Sequence, residues 1–267
     1  MKKTILATAA VCAVFASAFA QNTAVPADVN TRAGWGNGMI NAGPGDASFT
    51  FCRPGMFKAK DMIKIDPAKK YVFSGEVRKN PNAPTAMFYP GFELFDKDKK
   101  LIDGLSVSII SGTATTMTKA AKAGDTMITV KNGVRWFARS WYYVAFNAGP
   151  LPHREFGGAV KAVKRAGNVW NVTLSKPLTK DYPAGTKVRL QGMGGYFYVG
   201  NCNPGDAWKT FGSNIIHGVS TDRVVKGKFW PGTVYARPFV QANWNWGAKE
   251  RNKFETAVKN LKAGAVK

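Results

Sequence analysis

The sequence predicts an all-β protein: a β-sandwich interrupted by a small β-rich inserted module. Three observations lead there. Apolar residues come in short runs, bounded about every 8–15 residues by clusters of Gly, Pro, Asn and Asp. Those runs are rich in Val, Ile, Phe, Tyr and Trp, the residues that suit a pleated surface. Only two stretches carry a helical pattern. The composition, 45% hydrophobic and 20% charged over 267 residues, is that of a globular chain and excludes a disordered one.

The elements follow in chain order. Residues 1–20 read as a secretory signal, with Lys2 and Lys3 before an apolar stretch too short to span a bilayer and cleavage between Ala20 and Gln21. Cys12 follows Val11, where a lipobox has Gly, Ala or Ser, so lipidation is not expected. Asp66-Pro67 begins a turn into a strand at Tyr71–Val77. Met87–Phe95 is a second strand, and Asp96-Lys97-Asp98-Lys99-Lys100 is the charged turn that returns it at Leu101-Ile102. Residues 113–190 have their own grammar. A Gly124-Asp125-Thr126 entry leads to Met127–Val130, then Tyr142–Phe146, a Val160–Leu174 hairpin around Gly167, and Lys187–Leu190. Beyond it come Tyr196–Val199 and Val234–Asn243, with Pro238 marking an edge or a bulge. Thr116–Ala123 and Glu250–Leu261 read as helices. The second places Phe254, Val258 and Leu261 on one face, which makes residues 247–267 a basic tail or terminal helix.

Removing the signal leaves Cys52 and Cys202. In an exported chain this even pair reads as one disulfide, the alternative being two buried thiols. It also leaves 36 basic against 16 acidic side chains, a net of +20, which attracts polyanions. No compact nucleic-acid motif accompanies the charge.

Trp244 and Trp246 alternate with Asn243 and Asn245. In an extended segment both indoles would share one face and both amides the other, the chemistry of a glycan platform; the alternative is that the indoles cap the core. Trp208, Trp230, Trp35, Tyr196 and Tyr198 are weaker candidates. Glu76 and Glu93 sit in neighbouring strands, but the parity of Glu76 with Ser74 and Arg78 puts it on a solvent face, against a glycosidase pair. Asp96 and Asp98 are the candidate oxygens for a structural calcium, although the lysines of their turn favour a solvated tip. His153 and His217 read as loop or core residues. No nucleophile, zinc or phosphate-loop motif is present, so no catalytic residue is expected.

The segments MIKIDPAKKYVFSGEVRK, FYPGFELFDKDKKLI and VYARPFVQANW resemble the jelly roll of galactose-binding-like carbohydrate-binding modules over roughly residues 28–112 and 191–246, within a discontinuous sandwich expected at 21–112 and 191–246. Residues 113–190 resemble a small β-module found in secreted and phage-like proteins. The resemblance implies a jelly-roll β-sandwich in a secreted bacterial protein that binds rather than catalyses. The expected function is non-catalytic binding of an acidic host or envelope glycan, in the periplasm, at the cell surface or outside the cell. The competing expectation is a structural surface protein held electrostatically on an acidic envelope. A polysaccharide lyase is third: the charge fits, but its tract motifs are missing.

Overall fold

The computed structural model describes residues 29, 31–36, 40–42, 48–245 and 253–266. The signal segment with Ala20 and Gln21, and Trp246, lie outside the described residues. The fold is all-β and built from three antiparallel sheets. Among the described residues the only α-helix is the single turn Gly104–Val107, capped by the Asp103 carboxylate, which accepts from the Ser106 amide. No helix among them is long and apolar enough to cross a membrane.

Two sheets face each other as a sandwich. The first runs Trp35–Gly36, Gly55–Ala59, Tyr235–Trp244, Met87–Phe95, Phe197–Tyr198. The second runs Lys209–Phe211, Lys70–Lys79, Thr256–Val266, Phe49–Phe51, Ile40–Ala42. Period-2 alternation sets which face each strand buries. Along Lys70–Lys79, Tyr71, Phe73 and Val77 point inward; along Met87–Phe95, Phe88, Phe92 and Leu94 do. Their rings interlock across the interior, Phe73 at 5.7 Å from Phe92 and Phe92 edge-on to Phe229 at 5.6 Å.

The third sheet, within residues 115–192, runs Met127–Val130, Val169–Leu174, Phe156–Ala166, Arg139–Phe146, Lys187–Gly192, Thr115–Thr116. It has a separate core of Ile128, Val144, Phe146, Val172, Leu190 and their neighbours. Few ties join it to the sandwich. The His153 amide donates to Ser106 O, Gln191 Nε2 donates to Leu105 O, Arg154 pairs with Asp96, and Leu151 enters the sandwich core.

The structure corrects both helical readings. Thr116 ends the strand Thr115–Thr116, and residues 117–123 are a loop joined by bridges at Met117 and Ala121. Thr256–Val266 is a strand in the middle of the second sheet, paired with both Lys70–Lys79 and Phe49–Phe51. The cause is a bulge between Lys259 and Lys262, where Asn260 adopts φ +52°. The extra residue turns the spacing of the inward side chains Val258 and Leu261 from two to three, which imitates a helix. Gly75 opposite leaves room for the Leu261 side chain.

Pro238 is likewise in a central strand and not at an edge. Its neighbour on one side is split: Gly55–Ala59 covers Phe239–Ala242 and Ile63–Lys64 covers Tyr235–Ala236. The missing amide falls in the gap. The disulfide is also corrected. Cys52 and Cys202 are both thiols. Cys52 ends a strand of the second sheet and its Sγ donates to Thr50 O, whereas Cys202 bridges to Phe88 of the first sheet. Burial pushes the Cys202 thiol up, against the opposing effect of Lys209, and keeps it protonated.

Candidate ligand-binding face

The structure separates the residues of the expected tryptophan platform. Asn243 has φ +59° at a bulge between Gln241 and Trp244, so the alternation the platform requires stops there. The Asn243 side chain is buried. Its Nδ2 donates to Phe51 O (2.7 Å) and Arg53 O (3.0 Å), and its Oδ1 accepts from Thr256 Oγ1 (2.6 Å). Asn243 therefore ties the two sheets together and is not a ligand amide. Trp244 is half-buried opposite Met87, and Asn245 is exposed beyond the strand end. Trp35 is core, its Nε1 donating to Val29 O.

Trp208 lies on the outer face of the second sheet under two cations, Arg78 at 4.6 Å and Lys259 at 4.3 Å from the ring centroid. Lys259 reaches Glu76 at 3.7 Å, and Asn260 Nδ2 donates to the same carboxylate at 2.7 Å. Glu93 is on the outer face of the first sheet, so the two glutamates stand on opposite sides of the sandwich and form no catalytic pair. Asp96 accepts from the Asp98 and Lys100 amides on one oxygen and from Arg154 on the other. Burial alone would raise the Asp96 carboxyl, but these donors outweigh it and hold the group below the usual range. Asp98 pairs with Lys97. No group of three metal-ligating side chains occurs among the described residues. His153 is buried, its Nε2 2.8 Å from Glu155 O; burial, with Arg189 nearby, lowers its basicity and keeps it neutral. His217 is exposed in an edge pairing with Lys70.

The outer face of the first sheet brings together what the sequence order hides. Register places Arg237 opposite Glu93, Phe239 opposite both Lys58 and Gly91, and Gln241 opposite Tyr89. Glu93 is nearly fully buried, its side chain 4% exposed, and lies between two cations: Lys58 Nζ at 2.6 Å from one oxygen, Arg237 Nε at 2.8 Å from the other. One carboxylate between two cations leaves a local positive excess.

At the edge of this layer runs the segment Met193–Val199, in which Phe197 and Tyr198 pair with Phe92 and Gly91. Phe197 points inward, 5.4 Å from Phe229 and 5.7 Å from Trp230, so Tyr196 and Tyr198 point out. They rest edge-on over Phe239, at 5.6 and 5.7 Å, and remain 51% and 38% exposed. Gly91 makes this possible: a Cβ there would stand 2.6 Å from the Phe239 ring and from Phe197 O. The Tyr198 hydroxyl donates to Gln241 Oε1 at 2.7 Å. Burial, with Tyr196 and Tyr89 beside it, pushes the Tyr198 phenol up, so the hydroxyl stays protonated as a donor.

A cleft opens on either side of this segment. One, of about 350 Å³, is bounded by Tyr198, Asn214, Ile215, Val224, Lys226 and Trp230. The other, of about 390 Å³, is bounded by Glu93, Leu101, Asp103, Met193, Tyr196 and Trp230. Of the sequence candidates, Tyr196, Tyr198 and Trp230 converge here, and Trp208 does not. Sequence reasoning missed Lys58, Glu93, Arg237 and Gln241 as one cluster, because strand register alone unites them. No protein-family model, no curated protein and no solved structure matches this chain.

Proposed function

We propose that the protein is a secreted, non-catalytic carbohydrate-binding protein that takes an acidic glycan across the Tyr196–Tyr198 segment. The observation that carries this reading is the pair of exposed phenol rings, braced from below by Phe239 and flanked by two clefts that share Trp230. Aromatic faces stack on the CH faces of sugars. Asn214, Asp103 and Gln241 supply donors and acceptors for hydroxyls, and Lys58 with Arg237 favours an acidic substituent. The two-sheet sandwich is the kind of scaffold on which the galactose-binding-like resemblance expects a ligand. The separation of Glu76 from Glu93 also supports binding over glycosidase chemistry.

The test is a panel of neutral and acidic oligosaccharides titrated against the chain without its first 20 residues. Tyr196→Ala and Tyr198→Ala each lower affinity roughly tenfold, with unchanged circular dichroism. Retention of acidic glycans falls steeply from 0.1 to 1 M salt, as the Debye length shrinks from about 10 to about 3 Å. Neutral-sugar binding changes little. Failure to bind any glycan, with salt-reversible retention on cell envelopes, would replace this reading by the structural one.

A further inference from the structure

A second exposed aromatic surface lies on the inserted module. The segment from Val134 to Trp141 is solvent-exposed except for Trp136, which is 4% exposed and whose Nε1 donates to Thr113 O at 2.8 Å. Trp136 thus pins the middle of an otherwise outward-facing stretch. The strand Arg139–Phe146 then bulges between Arg139 and Tyr143, where it leaves the ladder with Phe156–Ala166. The result displays Val134, Phe137 and Trp141 at 69%, 48% and 50% exposure. Met193, 59% exposed, joins them, its amide donating to Trp141 O at 2.7 Å. Tyr142 underlies the patch, its ring 6.2 Å from Phe137 and 6.4 Å from Trp141.

The surroundings of residues 134–141 are predominantly cationic. Arg139 sits over Trp141 at 5.9 Å, and Arg135 lies beside Gly112. No acidic residue occurs between Asp125 and Glu155, and residues 113–190 carry 13 basic against 3 acidic side chains. Two of those acids are already paired, Asp181 with Lys122 and Glu155 with Lys180, and the third, Asp125, accepts from the Lys122 amide. The partner this charge complements is anionic. Its other half must be apolar, because an aliphatic valine and a methionine gain nothing from sugar stacking, whereas all four apolar side chains gain from hydrocarbon. Indole and guanidinium groups suit the headgroup layer between the two.

We propose that the segment Val134–Trp141, with Met193, docks the protein peripherally on an anionic lipid surface. Met193 also borders the cleft beside Tyr196, but the observations behind this proposal lie in residues 134–141 and do not rest on the glycan reading. The test is cosedimentation of the chain lacking residues 1–20 with phosphatidylglycerol vesicles, against phosphatidylcholine vesicles. Selective retention on phosphatidylglycerol is expected. It falls roughly tenfold or more in Phe137→Ala/Trp141→Ala, and similarly in Arg135→Glu/Arg139→Glu. The equal charge change Lys209→Glu/Lys262→Glu, on the second sandwich sheet, has a distinctly smaller effect. All these residues are exposed, and melting curves verify the fold. Absence of retention, full retention in Phe137→Ala/Trp141→Ala, or equal loss in Lys209→Glu/Lys262→Glu would overturn the proposal. So would capture of soluble dextran sulfate through the same residues without vesicle binding, which would name an acidic polymer as the occupant.

Discussion

The outer faces of the two sandwich sheets use the same ingredients to opposite effect. Each carries a glutamate, two cations and aromatic rings. On the second sheet the glutamate, Glu76, is partly exposed, and the cations Arg78 and Lys259 lie over Trp208 and close it. On the first sheet the glutamate is buried and holds Lys58 and Arg237 within the sheet layer, so the tyrosines above remain uncovered. The buried carboxylate fixes which ring a cation covers: Arg237, bound to Glu93, lies 5.2 Å over the buried Phe95 ring and leaves the tyrosines open. Candidate binding faces are therefore found less by where aromatics occur than by where their cationic neighbours are already engaged.

Three substitutions test that contrast, and the largest effect belongs to Glu93. In Glu93→Gln two cations lose their common buried counter-charge. Breaking such a pair costs about 3 kcal/mol, to be read as a lower urea midpoint with unchanged slope. The same variant should release Lys58 and Arg237 to cover the tyrosine rings and weaken neutral-sugar binding beyond what stability explains; an unchanged midpoint would remove the buried carboxylate from the explanation. Trp208→Ala comes next. Two cations at van der Waals range from one ring contribute about 1 kcal/mol together at a half-exposed site, so thermal melting should shift by a few degrees while glycan affinity stays the same. Lost glycan affinity in Trp208→Ala would mean that the closed face binds after all. Glu76→Gln should be the mildest, about 0.5 kcal/mol or less, because its ion pair is long and solvent-screened. A Glu76→Gln effect as large as that of Glu93→Gln would abolish the distinction between the faces.

Much of the fold was legible because burial leaves a period in the chain. Met87–Phe95, Val169–Leu174 and the turns at Asp66, Asp96 and Gly167 stand where their residue types put them. Two of the misreadings, the terminal helix and the tryptophan platform, share one cause. Asn243 and Asn260 each insert a left-handed residue into a long strand, and each breaks a period that was being extrapolated. At Asn260 the break imitated a helix; at Asn243 it dissolved a tryptophan platform. Asparagine tolerates that backbone conformation, so both positions carried a usable signal. The candidate site was legible only in part. Tyr196, Tyr198 and Trp230 drew notice as aromatics in a sandwich. Lys58, Glu93 and Arg237 are too far apart in sequence for anything but strand register to unite them. Arg135, Phe137, Arg139 and Trp141 alternate in the sequence, but only Arg139 and Trp141 lie in a strand and the residues between are largely exposed, so no strand period marks that face.

The way the inserted module meets the sandwich bears on how the chain tolerates change. The amide of Leu190 donates to Thr113 Oγ1, that of Ile110 to Leu190 O and that of Gly192 to Ser108 O, so the entry and exit of the insertion run side by side. To the sandwich, 78 intervening residues are equivalent to one narrow hairpin, and their number hardly enters the entropy of closing it. Each unit can thus lengthen, shorten or exchange its loops on its own account. A surface rebuilt on one leaves the register of the other untouched, which makes the molecule a natural chassis for swapping what it carries at that joint.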